Sequence, residues 1–406
     1  MKLFFITATT ILLLLFTKNS FAAENAFWKG ISVSSYQTED PAILPSDPNF
    51  FQTDWDLFYA AGNLKEPRAN GVYSYSFLDR DIAALKKLGV THYRFGIEWA
   101  RIEPKPGLYN KHAMNHYIDL IQKLKKNGIT PIVCLWHFTF PSWGVSSNKN
   151  ENGWLNSNIQ NRWAPYVTYV AENLKKEIIL FAPENEPNSQ ALAAYFLGSF
   201  PPGEKYNLSL YRKQISAAAE AFIEASSLIK KIIPEAKIIS IQNIVYWTRA
   251  WWDIFGYFYS IAQEFNYAHL DVIKNSIDYV GLNYYYQHEA TPLPSSLVIN
   301  PHGLELLLAD FSKRYQKPLV VMENGISSDD DSKRIEFIQS HMEAIKKAQA
   351  KGIDIRGYFF WSLVDNYEWA SGYTEKFGLY SYSTDHKSIT AKPSATVFKK
   401  LLNDWK

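Results

Sequence analysis

Glu184 and Glu186 flank Asn185 immediately after the apolar run 178–181. A second carboxylate and amide, Glu323 and Asn324, end the apolar run 318–322. Arg94, His137, Asn283 with Tyr285, and Trp361 stand at the ends of four other apolar runs, and Gln37 stands just past the end of another. A single carboxylate in such a place is more often a solvated loop group. Two carboxylates facing each other across a sugar suit cleavage of a glycosidic bond. One then carries a proton and the other a negative charge, with a gap of about 5 Å for retention or about 6.5–9.5 Å for inversion.

The elements around these residues follow a recurring pattern. A helix with apolar positions three and four apart ends at a glycine after lysines, and an apolar strand follows. Lys86-Lys87-Leu88-Gly89, Lys125-Lys126-Asn127-Gly128 and Lys351-Gly352 are three instances. Glycine suits the left-handed residue at a helix end, and lysine suits the negative end of the helix dipole. A helix is expected over 332–351, where Ile335, Ile338, Met342 and Ile345 share one face. Strands are expected at 27–34, 92–99, 131–137, 178–183, 236–241, 277–283, 318–322 and 357–363. Eight strands alternating with helices, with no linker to divide them, predict an α/β chain folded as a single (β/α)8 barrel. An open doubly wound sheet is the alternative, and no G-x-G-x-x-G follows the first strand. In a barrel the C-terminal strand ends converge on one pocket, which would gather the polar residues named above.

The 406 residues carry a net charge of +2 with no basic block, so nucleic acid is not an expected partner. Aromatic residues make up 16%; most are expected in the core, and some would stack on sugar faces. Residues 1–22 read as a secretory signal, with Lys2, an apolar run from Phe4 to Phe16, and small residues before Ala23. The domain would then span 23–406, exported to the periplasm or medium without a stable membrane anchor. An uncleaved anchor is the alternative. Cys134 is the only cysteine and is expected to be a buried structural thiol. His112 and His116 have the i, i+4 spacing of some zinc sites but no third ligand, so no metal is expected. The aromatic cluster Tyr246, Trp247, Trp251, Trp252, Phe255 and Tyr257 is expected either to line the outer subsites or to pack as loop cover. Asn207-Leu208-Ser209 fits a glycosylation acceptor in a eukaryotic route.

A resemblance now becomes specific. Phe27-Trp28-Lys29-Gly30 with Ser34-Ser35-Tyr36-Gln37, Tyr93-Arg94-Phe95, Trp136-His137, Asn185-Glu186-Pro187, Asn283-Tyr284-Tyr285, Glu323-Asn324-Gly325 and the block from Gly357 to Trp369 resemble glycoside hydrolase family 1. This is the β-glucosidase family of (β/α)8 barrels, and the similarity spans nearly all of the chain past residue 22. It implies that Glu323 is the nucleophile, Glu186 the acid/base, and Asn185 a partner of the sugar 2-hydroxyl. It implies that Arg94 keeps Glu323 ionised and that Tyr285 hydrogen-bonds it. Gln37, His137, Glu368 and Trp369 would hold sugar hydroxyls, Asn283 would bind substrate beside them, and Trp361 would lie beneath the ring. No cofactor is implied. The partner is a β-glucoside or oligosaccharide, and the oligomeric state is left open.

The same resemblance narrows the sugar. Family members acting on 6-phosphosugars carry Ser, Lys and Tyr where this chain has Glu368, Glu375 and Phe377, so an uncharged sugar is expected. Glu186 argues against the plant thioglucosidases, which replace it with Gln. Departures from the family pattern stand at Pro183, Met322, Phe138 and Thr139. Glu98 and Glu184 receive no role and are expected to be solvated or salt-bridged. A transglycosylating enzyme and an inactive sugar-binding barrel are the alternatives to hydrolysis.

Overall fold

The computed structural model of the chain describes residues 26–41, 50–68, 71–291 and 296–405. The expected signal segment lies outside them. Strand β1 (Trp28–Ser32) leads to α1 (Ser35–Thr38), α2 (Asp54–Ala60) and α3 (Leu78–Leu88). Then come β2 (His92–Gly96), α4 (Trp99–Ile102), α5 (Lys111–Lys126), β3 (Thr130–Cys134) and α6 (Ser157–Leu174). Next are β4 (Leu180–Ala182), α7 (Pro187–Tyr195), α8 (Leu208–Ile232), β5 (Lys237–Arg249) and α9 (Tyr257–Ile273). The chain continues through β6 (Tyr279–Ala290), α10 (Pro301–Tyr315), β7 (Leu319–Asn324), α11 (Asp331–Ala350) and β8 (Ile355–Trp361). It ends in a small hairpin, β9 (Tyr380–Tyr382) with β10 (Ile389–Ala391), and α12 (Pro393–Asn403).

Each of the eight barrel strands pairs in parallel with the next, and β8 returns to β1 from Gly357↔Trp28 to Trp361↔Ser32. The ring is closed, so the open-sheet alternative is excluded and the barrel is the fold. All eight strands begin within a few residues of where the apolar runs predict, and six of them also end there. Gly89, Gly128 and Gly352 all have positive φ, as the pattern of helix ends requires.

Side chains alternate across each strand and so make two layers of core. Trp28, Ile132, Cys134, Ile239, Met322 and Phe359 belong to the cluster that fills the barrel. Leu282, Val321 and Phe360 belong to the larger cluster packed under the helices. The barrel is tight enough that a Cβ at Gly30 would lie 2.1 Å from the Phe359 ring, so only glycine fits there. Cys134 is buried, as expected, and burial raises its thiol pKa.

Two strands differ from expectation. β5 and β6 run past the rim to Arg249 and Ala290, pairing with each other from Tyr246↔Gln287 to Arg249↔Ala290. Their outer halves are rich in aromatic and β-branched residues, which suit a pleated ribbon.

Candidate active site

The mouth of the barrel holds a cavity of about 670 Å³, lined by Asn185, Glu186, Tyr285, Glu323, Trp361, Glu368 and Trp369 among others. These residues come from the C-terminal ends of β4, β6, β7 and β8 and from the loop after β8. Gln37, Arg94, His137 and Asn283 stand behind them at the floor, all buried. The eleven residues singled out by sequence therefore meet at one place.

Local backbone geometry aims the two carboxylates. Met322 points into the barrel interior, so strict alternation would turn Glu323 outward. The β6–β7 and β7–β8 registers both shift here, and this irregularity swings Glu323 into the mouth. Glu186 caps α7 in the left-handed conformation at φ 43°, an unusual conformation for a non-glycine residue. Its amide donates to Ile241 O at 2.8 Å, and the Asn185 amide donates to Trp136 O at 2.9 Å. Three non-glycine residues with positive φ, Phe138, Glu186 and Trp369, line the cavity. Strain of this kind collects at functional sites.

The carboxylates have different partners. Arg94 Nη1 donates to Glu323 Oε1, and Tyr285 Oη donates to Glu323 Oε2 at 2.5 Å. Arg94 Nη2 also donates to Asn185 Oδ1 at 2.7 Å and lies 3.1 Å from His137 Nδ1. Asn283 Nδ2 donates to Glu186 Oε1 at 2.6 Å and to Asn185 Oδ1 at 3.3 Å. Asn185 Oδ1 also accepts from Arg94, which holds Glu323, so a chain of hydrogen bonds joins the two acids. Burial, and then the Glu323 charge, pushes the Glu186 carboxyl up to about 8. Burial also raises Glu323, but Arg94, Tyr285 and Asn283 pull it back. Arg94 is fully buried and needs a counter-anion, so Glu323 ionises first and Glu186 keeps its proton. Burial and then Arg94 hold His137 well below its usual range, so its ring is neutral.

Gln37 Nε2 donates to Glu368 Oε2 at 3.1 Å and to Tyr367 O at 2.8 Å. Burial, then Glu323 and Glu375, pushes Glu368 up to about 8. Trp369 rests on Tyr36 and Trp55, at centroid distances of 5.7 and 4.8 Å. The His137 ring stacks toward Trp361 and Trp369. The departure at Phe138 is an aromatic wall 5.0 Å from Trp369.

Some expectations are corrected. Glu98 and Glu184 are neither solvated nor bridged to a permanent cation. Glu98 is buried and accepts from Thr139 Oγ1 at 3.0 Å, from Ser35, and from the Ala100 amide. Glu184 is buried with its carboxyl raised, 3.3 Å from a His269 ring held neutral by burial. Trp251, Phe255 and Tyr257 do not line the cavity. Its outer wall is built by residues that sequence did not single out, including Leu192, Leu197, Phe265, Leu297 and Ile299. Their only advance signal was apolar composition after β4, β5 and β6. Among the described residues no group of three metal-ligating side chains occurs, and the His116 ring stacks on Tyr75.

The model described as Glycosyl hydrolase family 1 matches residues 20–248 and 288–406. The chain is 28% identical over 430 residues to β-glucosidase A of Thermotoga maritima, covering 90% of this chain and 94% of that protein. It is 26% identical over 418 residues to a chloroplastic galactolipid galactosyltransferase of Arabidopsis thaliana, covering 95% of this chain and 65% of that protein. A crystal structure from Fervidobacterium pennivoraus superposes with TM-score 0.86 at 28% identity, covering 94% of this chain and 96% of that one.

Proposed function

Since the chain belongs to glycosyl hydrolase family 1, we propose that it is a retaining β-glycosidase that removes non-reducing terminal β-D-glucosyl residues. The observation that carries this reading is a pair of buried carboxylates of opposite setting in one cavity, Glu323 on Arg94 and Glu186 without a cation, linked through Asn283, Asn185 and Arg94. One acid held as an anion and one held protonated are the two groups that double displacement requires.

In the first step the Glu323 carboxylate attacks the anomeric carbon. The bond to the aglycone oxygen breaks, and the Glu186 carboxyl gives that oxygen its proton. The products are a glycosyl ester on Glu323 and a free alcohol. In the second step Glu186, now ionised, takes a proton from water. The water oxygen bonds the anomeric carbon, and Glu323 leaves as carboxylate. Two inversions at one carbon give net retention. Asn185 faces the 2-hydroxyl, where its contact strengthens in the transition state. Gln37, His137, Glu368 and Trp369 hold the other hydroxyls, and Trp361 supports the ring.

The test is hydrolysis of aryl β-D-glucoside, β-D-galactoside and β-D-fucoside by the wild type and by Glu323→Ala, each with and without azide. Turnover should fall at least about a thousandfold in the variant. Azide should restore it, giving a glycosyl azide of inverted configuration. Unrescued loss, or a wild type inactive on all three glycosides, would overturn the reading. Faster galactoside than glucoside turnover would reassign the sugar alone.

Transfer to an acceptor other than water is the second reading. It is favoured by the apolar outer wall, and a relative's name describes galactosyl transfer. The ratio of transfer products to free sugar separates the two. Export is proposed from the N-terminal segment, and N-terminal sequencing of the secreted protein would test it.

A further inference from the structure

The outer halves of β5 and β6 project beyond the barrel rim, and what they carry is unusually apolar. Trp251, Ile254 and Phe255, in the loop after β5, are 90%, 75% and 97% exposed. Tyr257 at the start of α9 is exposed too, as are Leu297 and Ile299 in the segment that follows β6. Val298 bridges back to Gln287, which fixes that second segment against the ribbon. Residues 250–263 contain one charged side chain, Asp253, and residues 296–300 contain none.

The loop is held in place from within. Arg249 Nε donates to Asp253 O at 2.6 Å, and its Nη2 donates to Ile254 O. The Asp253 carboxylate is buried and accepts the Tyr257 and Tyr259 amides at 2.8 and 3.0 Å. The polar groups are thus turned inward, and the large apolar side chains are turned out. An exposed cluster of this composition marks an interaction surface.

Its place identifies the occupant. Leu297 and Ile299 are exposed on the rim and also line the catalytic cavity. The exposed apolar residues that follow β6 therefore reach from the rim into the cavity that holds the carboxylates. A folded protein or second copy seated there would cover the entrance. A lipid bilayer would instead deliver substrate through it. Tryptophan and tyrosine beside isoleucine and phenylalanine suit the boundary between headgroups and acyl chains.

We propose that this rim docks on a lipid bilayer and that the cavity takes glycosides whose aglycone is a long acyl or alkyl chain. The substrate class rests on the glycosidase reading; the docking does not.

The experiment is flotation of the full chain with phosphatidylcholine vesicles, using wild type, Phe255→Ser and the triple variant Trp251→Ser/Ile254→Ser/Phe255→Ser. None of these residues lines the cavity. Hydrolysis of a soluble aryl β-glucoside and of a long-chain alkyl β-glucoside embedded in the vesicles is read alongside. Wild type should float with the vesicles equally well at low and high salt. Binding should fall at least about tenfold in the triple variant, given the apolar area removed, and less in the single one. Hydrolysis of the embedded glucoside should fall with binding, while aryl kcat/KM should stay within about twofold, as expected for substitutions outside the cavity. A wild type that stays in solution, variants that float like wild type, or binding abolished by salt would overturn the docking. So would a dimer that the triple variant splits. Vesicle binding by a protein inactive on both glucosides would overturn the substrate class and the glycosidase reading while leaving the docking in place.

Discussion

Glu186 and Glu323 share a side chain and differ in what surrounds them. Glu323 has the buried Arg94 guanidinium and the Tyr285 hydroxyl, so its anion is supported. Glu186 is buried without a cation and faces the charge of its neighbour, with the Asn283 amide as a weaker counterweight, so its proton is retained up to about 8. Rate should therefore decline on the alkaline side as Glu186 ionises. Replacing it with Gln removes the acid, so kcat/KM on a glycoside with a poor leaving group should fall by about 10²–10⁴. On an activated aryl glycoside the glycosylation step should suffer far less, and the decline near pH 8 should vanish from its pH profile. A profile that keeps its alkaline limb in Glu186→Gln would assign that limb to another group, with Glu368 next in line because it too sits at about 8. The positions of both acids were legible in sequence because each ends an apolar run and sits in a specific local motif. Their unequal settings were legible only through the resemblance. Glu184 was misread as solvated or salt-bridged because nothing in its neighbours along the chain shows that it is buried, with the neutral ring of His269, far away in sequence, beside it.

The eight strands were legible as short apolar runs, and the glycines that end three of the helices, Gly89, Gly128 and Gly352, mark where β2, β3 and β8 begin. The extension of β5 and β6 was not, since it depends on the two strands finding each other past the rim. The shift that aims Glu323 was not either, because register is a relation between strands and periodicity describes only one. Helix α2 was also overlooked, though it carries a readable signal. Thr53 accepts from the Asp56 amide, and the Asp56 carboxylate accepts from the Thr53 amide, a reciprocal cap. This short helix matters because its Trp55 lies 4.8 Å from Trp369 in the wall of the cavity. Thr53→Ala removes half the cap and should cost about 1 kcal/mol in denaturant unfolding, within the usual range for such caps. Trp369 should loosen with it, raising KM more than it lowers kcat. A variant with normal stability and normal KM would show that Trp55 is held by packing alone.

Across the whole molecule the buried acids and the histidines act on stability in opposite directions as pH changes. Glu39, Glu186 and Glu368 are pushed up to about 7, 8 and 8, chiefly by burial. Between the ordinary carboxyl range and those values the unfolded chain has lost these protons and the folded chain still holds them. Stability therefore falls as pH rises through that window. His92, His116, His269 and His341 are pushed down by burial to about 3 or 4. Below about 6.5 the unfolded chain binds protons that the folded chain refuses, so their contribution is lost as pH falls. Above about 6.5 the histidines are neutral in both states, and only the acids set the slope. The Tm should therefore peak near pH 6 to 6.5 and decline toward pH 8.5, a loss on the order of a few kcal/mol. Glu368→Gln cannot ionise, so it should flatten the alkaline decline, steepen the rise on the acid side and move the peak to higher pH. Calorimetry of the wild type and this variant from pH 5 to 8.5 decides the matter. A wild-type Tm that climbs steadily through pH 8 would mean that the three carboxyls ionise on the ordinary acid scale inside the fold. Glu186 could not then hold the proton that the first catalytic step requires.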